Sequence, residues 1–589
     1  MILSDLKELV LERDHIAGER MQDKWQTVAY ETGNFCGNML VATEMCFPKP
    51  VTLRLNKKGW YKIYLGFIHY AGSACTHTGV RLSGDAAPSV LVPDPFNKQT
   101  VYGYNYWASY SWIEEGFWKC ADLTGQDLIL EKPDCIVAGT SQLCLIRLEE
   151  MGDEEVRAML KQPARTKNLM YHCDTDYLFW YYNYKSPKEY VNVIERLEGG
   201  NSEIVIQETY FEDFEPIGTE NCEAKLVRKH YQANYRKYLA WHEEIGRLLA
   251  ERAHRAGMKI YAGTRMEMGN FLPPLDTAIL AKKFVVQHPE FAVYTRDGRR
   301  TDILSYAYPQ VRDWEIDRLL KSVERGYDGV SLFFIRGVFV GFERPVRELF
   351  FRKYGDAEDP ACLPLDDPRL NECQCAFLTE FVRALRERLD AYARKNKRAH
   401  IDINVVVCYD VESSMQIGCD VETWLKHNYV DSVSQGLMKS YEDLEGCFTD
   451  GAMRRIDMDK YKEQLQKRAI FKREYHDRAD TVLAGSASLL ECVSRYGKDY
   501  YGALPWESKS AAYHAEMAQK QYALGVKKLI SWNASHIAEN LPKCNVIKNL
   551  GDINRVLQTD PEQLAQKTQY RVLSIGGKDI STYNPSWLG

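Results

Sequence analysis

The sequence predicts a multidomain protein in which an N-terminal antiparallel β-sandwich, of the jelly-roll kind, precedes a (β/α)8 barrel. From about residue 25 to residue 149, apolar and polar positions alternate between turns, and helical periodicity is almost absent. From residue 151 onward, short apolar strands alternate with amphipathic helices, which is typical of parallel βα units. A chain of 589 residues is also long enough for more than one domain.

The chain begins with MILSDLKELVLERDH, in which leucines at helical spacing are interrupted by acids. We expect an N-terminal helix within residues 1–20 rather than a signal peptide, because a basic end and an uninterrupted apolar stretch are missing. No segment reaches the roughly 18 apolar residues that span a membrane. The 16 cysteines are scattered through apolar runs, as reduced thiols usually are. These features predict a cytoplasmic protein with no membrane partner.

The sandwich is expected over residues 21–150. The stretch TLRLNKKGWYKIYLGFIHY alternates around Lys57, Lys58 and Gly59, which predicts a hairpin. Seven aromatic residues crowd one part of this region, namely Tyr102, Tyr104, Tyr106, Trp107, Tyr110, Trp112 and Trp118. Two interpretations stay open for them: they fill the core or the seam with the next domain, or they form a platform on which a sugar ring stacks.

The barrel is expected over residues 165–550, after a helical linker. Seven of its strands are predicted from apolar runs that each precede a polar residue or a turn: NLMYHCDTD, EIVIQETY, MKIYAGTRMEMG, GVSLFFIRG, HIDINVVVCYD, YVDSVSQG and VKKLISWNAS. We place the remaining strand within residues 480–488, DTVLAGSAS. Residues 551–589 form a C-terminal extension, with a strand pair that could pack on the barrel or on the sandwich.

In such a barrel the active site lies at the C-terminal ends of the strands. Several carboxylates at one mouth are what glycoside hydrolysis requires, because one carboxyl protonates the departing oxygen while another attacks the sugar or activates water. The candidate catalytic acids are Asp174, Glu208, Glu267, Asp410 and Glu507. The candidate substrate-binding residues are Tyr210, Arg265, Arg336, Tyr409, Gln435, Trp506, Trp532, Asn533 and His536.

Each of these acids also has a structural interpretation. Glu507 could stabilise the first turn of a helix, and Asp176 and Glu412 could cap loops. The acids at the strand ends could form ion pairs with Arg265 and Arg336. The two arginines could instead bind the carboxylate or sulfate of an anionic sugar, since a guanidinium pairs with such groups through two hydrogen bonds.

The chain from His288 to about Asn533 resembles the family-10-like glycoside hydrolase barrels of bacteria, most of which are uncharacterised. The resemblance is carried by HPEFAVYTRDGRRTDILSYAYPQVRDWEIDRLLKSVERGYDGVSLFFIRG, DVETWLKHNYVDSV and YALGVKKLISWN. It implies a TIM barrel and carbohydrate cleavage. The chain departs from related barrels at the fourth strand, where Phe333 and Phe334 stand in place of an acid, and that strand lacks the Asn-Glu ending of the large retaining clan.

Other barrel chemistries have less support. The first strand offers His172 alone where a metal-dependent hydrolase carries His-x-His, and no Gly-rich phosphate-binding motif is present. A net charge of -6 gives no electrostatic reason to expect nucleic acid.

We therefore predict a glycoside hydrolase for a small oligosaccharide or glycoconjugate, which could be anionic, with no metal and no cofactor. The alternatives are a non-catalytic carbohydrate-binding protein and a sugar lyase or isomerase on the same barrel; a homo-oligomer is possible.

Overall fold

The fold is taken from a computed structural model. It describes residues 1–43, 46–68, 77–92, 112–133, 139–161, 167–209, 214–216, 225–266, 280–282, 284, 287–294, 296, 298, 300–335, 339–364, 367–437, 479–506, 509–565 and 568–579.

Two antiparallel sheets make up the β-rich part of the chain. Within the described residues, the larger sheet follows the path Ile2–Leu3, Leu145–Glu150, Trp60–Ile68, Trp112–Asp122, Thr568–Ile575, Trp25–Thr32, Cys36–Ala42 and Ser141–Leu143, with Ile16–Ala17 and Lys578–Asp579 beside it. The smaller sheet has the order Val51–Leu53, Leu128–Glu131, Thr78–Leu82 and Ser89–Leu91. One apolar core joins the two sheets, with Leu40 and Ile63 from the larger and Leu82 and Leu130 from the smaller. The prediction of an antiparallel β-rich unit in addition to the barrel is confirmed, and its jelly-roll topology stays a prediction.

The strand Thr568–Ile575 lies inside the larger sheet, although it is close to the end of the chain. It pairs with Trp112–Asp122 on one side and with Trp25–Thr32 on the other. The sequence left this segment between two positions, on the barrel or on the sandwich. In the structure the last described strands complete the N-terminal sheet, so segments far apart in the sequence share one β-rich unit.

The helix expected within residues 1–20 was wrong in its extent. The α-helix covers only Leu6–Leu9 and a short 3-10 helix covers Arg13–His15, while Ile2–Leu3 and Ile16–Ala17 are strands of the larger sheet. Isolated short helices are marginal in water, so tertiary pairing readily overrides helical spacing. The leucine spacing instead lets Leu6 and Val10 enter the core of the sandwich.

A second unit is a closed barrel of parallel strands, and the prediction of a (β/α)8 barrel is confirmed. The eight strands found among the described residues are β1 (Leu169–Cys173), β2 (Ser202–Glu208), β3 (Lys259–Arg265), β4 (Gly329–Phe333), β5 (Asp402–Val407), β6 (Ser432–Gln435), β7 (Asp499–Ala503) and β8 (Lys528–Ser531). β8 pairs with β1 and closes the barrel. Apolar side chains such as Met170, Ile206, Val406 and Ile530 fill its interior.

Helices and short hairpins surround the barrel. The described helices are Asp153–Lys161, Thr175–Tyr181, Asn192–Glu195, Lys225–Arg255, Pro309–Glu324, Arg344–Tyr354, Pro368–Asn396, Val411–Gln416, Val421–Lys426, Ala479–Ser494, Ala511–Ala523, Ala534–Ile537, Leu541–Asn549, Ile553–Gln558 and Pro561–Leu564. A two-stranded antiparallel sheet pairs Phe214–Pro216 with Leu280–Lys282, and a hairpin pairs Ala292–Tyr294 with Arg300–Leu304. Among the helices of the described part, none is long and apolar enough to cross a membrane.

The strand predicted within residues 480–488 was wrong. These residues belong to the helix Ala479–Ser494, and the seventh strand is DYYGA at Asp499–Ala503. Small and apolar residues are common to buried strands and buried helices, so a short run cannot separate them. Gly485 allows this helix to approach the barrel closely, because a Cβ there would lie 2.3 Å from the backbone oxygen of Tyr409. Because the seventh strand is Asp499–Ala503, Trp506 follows its C-terminal end and lies at the mouth of the barrel.

The sandwich contacts the barrel beside the segment that follows β8, at an interface that we call the seam. Four hydrogen bonds of the seam are Val92 N–H to the Glu539 backbone oxygen at 2.9 Å, Asn540 Nδ2 to the Val92 oxygen at 3.1 Å, Asn545 Nδ2 to the Phe117 oxygen at 3.1 Å, and Asn192 Nδ2 to the Pro88 oxygen at 2.5 Å. Leu541 joins the apolar core of the sandwich. Of the crowded aromatic residues, Trp118 also packs on that core, and its Nε1 donates to Ser89 Oγ at 3.3 Å. Tyr102, Tyr104, Tyr106, Trp107 and Tyr110 lie outside the described residues.

We expect Gly116→Ala to loosen the seam. A Cβ at Gly116 would lie 2.5 Å from the Cβ of Leu541 and 3.1 Å from the Cδ of Pro542. The added methyl should therefore lower the free energy of unfolding by about 1–3 kcal/mol, as overpacking typically does. Urea unfolding measures this, with Gly33→Ala as the control, because nothing lies within 4 Å of a Cβ there. Equal stability of the two variants would contradict the close approach.

Candidate active site

Two carboxylates and a guanidinium meet at the C-terminal ends of β1, β2 and β3. Asp174 directly follows β1, Glu208 ends β2 and Arg265 ends β3. Because neighbouring parallel strands end at the same rim of the barrel, their last side chains lie together. Asp174 also caps the helix Thr175–Tyr181, since its Oδ1 accepts a hydrogen bond from the backbone N–H of Asp176 at 3.0 Å. A capping role was predicted for Asp176, but the residue that caps this helix is Asp174.

Arg265 bridges the two acids. Its Nε donates to Glu208 Oε1 at 3.2 Å, and its Nη2 donates to Asp174 Oδ2 at 3.4 Å. The side chains of Asp174 and Arg265 are 15% and 12% exposed, whereas that of Glu208 is 1% exposed. The ion-pair interpretation therefore holds for Arg265. Its guanidinium balances these two carboxylates, with Asp174 nearer to solvent than Glu208.

His172, which the sequence analysis treated only as an insufficient metal ligand, is the second neighbour of Glu208. The backbone N–H of Asn533 donates to Nδ1 of His172 at 3.3 Å, so Nδ1 is an acceptor and the ring proton is on Nε2. His172 Nε2 then donates to Glu208 Oε1 at 3.1 Å. The visible signal in the sequence was a histidine inside a buried apolar strand, two residues before a candidate acid.

The hydrogen bonds identify the oxygen on which Glu208 carries a proton. Oε1 accepts from both Arg265 and His172, which occupies its two lone pairs. Oε2 has no hydrogen-bond partner among the described residues. A protonated Glu208 therefore carries its proton on Oε2.

The local charges move the acid pKa values apart. Burial raises the pKa of Glu208, and the neighbouring negative charge of Asp174 adds to this, although Arg265 and His172 oppose it. Burial acts to raise the pKa of Asp174 too, but the Arg265 guanidinium and the His536 ring hold that pKa well below its usual range. Burial and the charge of Asp174 raise the pKa of Asp176 to about 6, against a hydrogen bond from the Tyr231 hydroxyl. An ionised Asp174 thus stands between two carboxyls that retain protons more strongly.

Aromatic rings line the barrel interior next to these acids. The ring centroids of His172 lie 5.0 Å from those of Trp532 and 5.2 Å from those of Phe333. The ring centroid of Trp506 lies 6.0 Å from that of Trp532, and Trp506 is partly buried. Phe333 stands where related barrels were expected to carry an acid, so this position contributes an apolar wall. Such a wall disfavours the charged form of a nearby carboxyl.

Other predicted site residues have contacts within the protein. Asp410 caps the helix Val411–Gln416, accepting from the Ser413 N–H at 2.6 Å. The buried amide of Gln435 donates to the backbone oxygens of Tyr409 and Val482, and its Oε1 accepts from Ser486 and Ala503. These contacts give Asp410 and Gln435 structural roles in the wall formed by β5, β6 and β7. This wall is separate from the group formed by Asp174, Glu208 and Arg265. Their roles in catalysis and binding stay predictions, as does that of the buried Tyr409.

The remaining candidates divide into two groups. Trp532, Asn533 and His536 follow β8, and Asn533 adopts a positive φ of 49° while its N–H reaches His172. The His536 ring lies against the Tyr177 ring, with centroids 3.6 Å apart. Four candidates lie outside the described residues: Tyr210, Glu267, Arg336 and Glu507.

The opposite end of the barrel holds a cavity of about 480 Å³, lined largely by charged and polar residues. At the same end, His400, Asp402 and Asp431 are close enough together to be considered as metal ligands. Lys259 Nζ lies 2.5 Å from Asp402 Oδ2, and Arg386 Nη1 lies 3.3 Å from Asp431 Oδ2. These cations already balance both carboxylates. The group lies at the starts of β5 and β6, away from the mouth, and we assign it no metal.

No protein-family model matches the sequence, and no curated protein matches it. Among solved structures, the chain is similar to the glycoside hydrolase domain of PgaB (BpsB) from Bordetella bronchiseptica, at 13% identity over 65% of this chain and 98% of that domain, with a TM-score of 0.39. It is also similar to the α-galactosidase TtGalA from Thermus thermophilus, at 10% identity over 91% of this chain and 95% of that one, with a TM-score of 0.32. A citrate lyase from Burkholderia xenovorans matches at 11% identity over 63% of this chain and 75% of that one, with a TM-score of 0.28. At such values the likeness carries no inference about the reaction.

Proposed function

We propose that the protein is a glycoside hydrolase in which Glu208 is the general acid and Asp174 is the ionised partner. The observation that carries the proposal is the pair of carboxyls bridged by Arg265, with pKa values moved in opposite directions. Two acids whose environments separate their pKa values are suited to giving a proton and to remaining charged at the same pH.

In the proposed reaction, the proton on Glu208 Oε2 moves to the glycosidic oxygen as the bond from that oxygen to the anomeric carbon breaks. The positive charge that develops at the anomeric carbon is stabilised by the carboxylate of Asp174. Asp174 then either forms a bond to that carbon or accepts a proton from an attacking water molecule, which correspond to retention and inversion. The partly buried Trp506 would offer a ring face to the sugar, and the buried Trp532 would support it from inside the barrel.

The substrate that we propose is a small oligosaccharide or glycoconjugate, and the resemblance to the family-10-like barrels supports carbohydrate cleavage. Arg265 gives little support to an anionic sugar, because two protein carboxylates already pair with its guanidinium. An anionic substrate would depend on Arg336, which lies outside the described residues.

Release of 4-nitrophenol from a panel of α- and β-glycosides, including glucuronides and galacturonides, tests this function. We expect hydrolysis of at least one member of the panel by protein that has been purified twice. Binding of the same sugars without release would favour a non-catalytic carbohydrate-binding protein, and formation of an unsaturated product would favour a lyase. Hydrolysis of uronides alone would support the prediction of an anionic substrate.

A further inference from the structure

A buried polar cluster lies next to the candidate site and is not used by the proposed reaction. We call Glu539, Tyr177, Tyr182 and Arg196 the Glu539 cluster. The hydroxyls of Tyr177 and Tyr182 both donate to the Glu539 carboxylate. Arg196 Nη1 lies 3.7 Å from Glu539 Oε1 and donates to the Tyr182 hydroxyl at 2.8 Å. Glu539 and Arg196 are buried, so the carboxylate and its three partners hold one another in a fixed arrangement.

One member of the cluster reaches the site. The Tyr177 ring lies against the His536 ring with centroids 3.6 Å apart and planes at 32°. His536 follows β8 and Asp174 follows β1, and these two strands pair with each other, so both residues lie at the same part of the rim; the His536 ring also acts to lower the pKa of Asp174. Tyr182 differs in this respect: its ring packs on Tyr184 at 5.1 Å and edge-on against Tyr177 at 6.3 Å, and of the two tyrosines it is Tyr177 that stacks on His536.

The other side of Glu539 is joined to the sandwich. Val92 N–H donates to the Glu539 backbone oxygen at 2.9 Å, and Asn540 Nδ2 donates to the Val92 oxygen at 3.1 Å. Val92 directly follows the sandwich strand Ser89–Leu91. Glu539 and Asn540 therefore bind the sandwich, through the Glu539 backbone oxygen and the Asn540 side-chain amide. The carboxylate of Glu539 binds the tyrosines of the cluster.

We propose that Glu539 is a positioning residue: it holds Tyr177, and through Tyr177 the His536 ring, beside Asp174, and the sandwich fixes Glu539 through Val92. The sandwich is then a structural part of the active site rather than a separate sugar-binding module. The inference rests on the proposed function for its kinetic consequence, but the placement of His536 can be tested without any activity.

The test compares Tyr177→Phe with Tyr182→Phe in the full chain. Each variant removes one hydroxyl from the same carboxylate, but only Tyr177 packs on His536. The readout is the ring signal of His536 in protein labelled with carbon-13 in its 13 histidine rings, assigned by its absence in His536→Gln. We expect this signal to shift in Tyr177→Phe and to stay at its wild-type position in Tyr182→Phe, even though Tyr182→Phe also removes a partner of Arg196.

A third variant tests the part of the sandwich. Asn540→Asp keeps the oxygen that caps the helix Leu541–Asn549 but removes the amide donor to the Val92 oxygen. We expect the His536 signal to shift in this variant too. An unchanged signal would overturn the role of the sandwich, and equal shifts in Tyr177→Phe and Tyr182→Phe, or no shift in either, would overturn the role of Glu539.

Kinetics add a separate readout once a substrate is known. Tyr177→Phe should lower kcat roughly tenfold with a smaller change in KM, because a displaced His536 ring beside Asp174 affects the reaction more than sugar binding. A change in KM alone would contradict the positioning role. If the wild-type protein hydrolyses no glycoside, the proposed function fails, while the His536 signals still decide the inference.

Discussion

Glu208→Gln should lower kcat for glycoside hydrolysis by about 10²–10⁴-fold while leaving the fold intact. Glutamine keeps the shape of the side chain, and its Oε1 can still accept from Arg265 Nε and His172 Nε2. The amide nitrogen that replaces Oε2 has no acidic proton to give to the leaving group. The loss expected is therefore that of general acid catalysis. Steady-state kinetics on a hydrolysed glycoside measure it, with thermal unfolding to check the fold.

Asp410→Asn is the matched comparison for this prediction. It also converts a carboxyl at the mouth into an amide, but asparagine caps helices about as well as aspartate, and Asp410 caps Val411–Gln416. We expect this variant to retain most of its activity. A loss as large as that of Glu208→Gln would move the catalytic role toward β5, where the sequence also placed a candidate acid.

Removal of residues 566–589 is expected to prevent the sandwich from folding. The strand Thr568–Ile575 pairs on both sides within the larger sheet, with Tyr570 opposite Ile113 and Val572 opposite Thr32. Its loss leaves two inner strands, Trp112–Asp122 and Trp25–Thr32, each without a partner on one side, and it uncovers core residues such as Tyr30, which packs with Val572. Each hydrogen bond contributes about 1 kcal/mol net, and a strand bonded on both sides approaches the 5–15 kcal/mol stability of a typical domain.

The soluble yield and the melting temperature of a chain ending at residue 565 measure this effect. A chain ending at residue 579 is the control, because it keeps the strand and the pair that it forms with Lys578–Asp579. We expect the shorter chain to be insoluble or to lose its cooperative transition and the longer one to melt like the full chain. Similar melting of both would contradict the place of this strand in the sheet.

The barrel could be predicted because each of its signals is local. Apolar runs of strand length, such as that of β4, alternate with long helices, and handedness and closure follow from the repeated βα connection. Asp174, Glu208 and Arg265 could be assigned to one rim for the same reason, since each directly follows or ends a strand. The seventh strand could not be placed correctly, because a run of small and apolar residues suits a buried helix equally well.

The parts that could not be predicted depend on contacts between distant residues. No local pattern indicates that Thr568–Ile575 enters a sheet begun more than 400 residues earlier, which the register with Thr32 shows. The tautomer of His172 follows from the N–H of Asn533, 361 positions away along the chain. The sequence left open whether Arg265 pairs with protein carboxylates or binds an anionic sugar. Its hydrogen bonds to Glu208 and Asp174 favour pairing with protein carboxylates.

If Glu208 gives a proton to the leaving oxygen, the rate lost in Glu208→Gln must depend on the basicity of the leaving group, which is the most direct test of its role. The measurement compares kcat/KM of the wild-type protein and Glu208→Gln on glycosides of one sugar with 2,4-dinitrophenol, 4-nitrophenol and phenol as leaving groups, because kcat/KM reports the steps up to the departure of the leaving group. A general acid matters little for an acidic phenol and strongly for a basic one. We predict a small loss with 2,4-dinitrophenol that grows steadily toward phenol. An equal loss with all three leaving groups would contradict a proton transfer from Glu208.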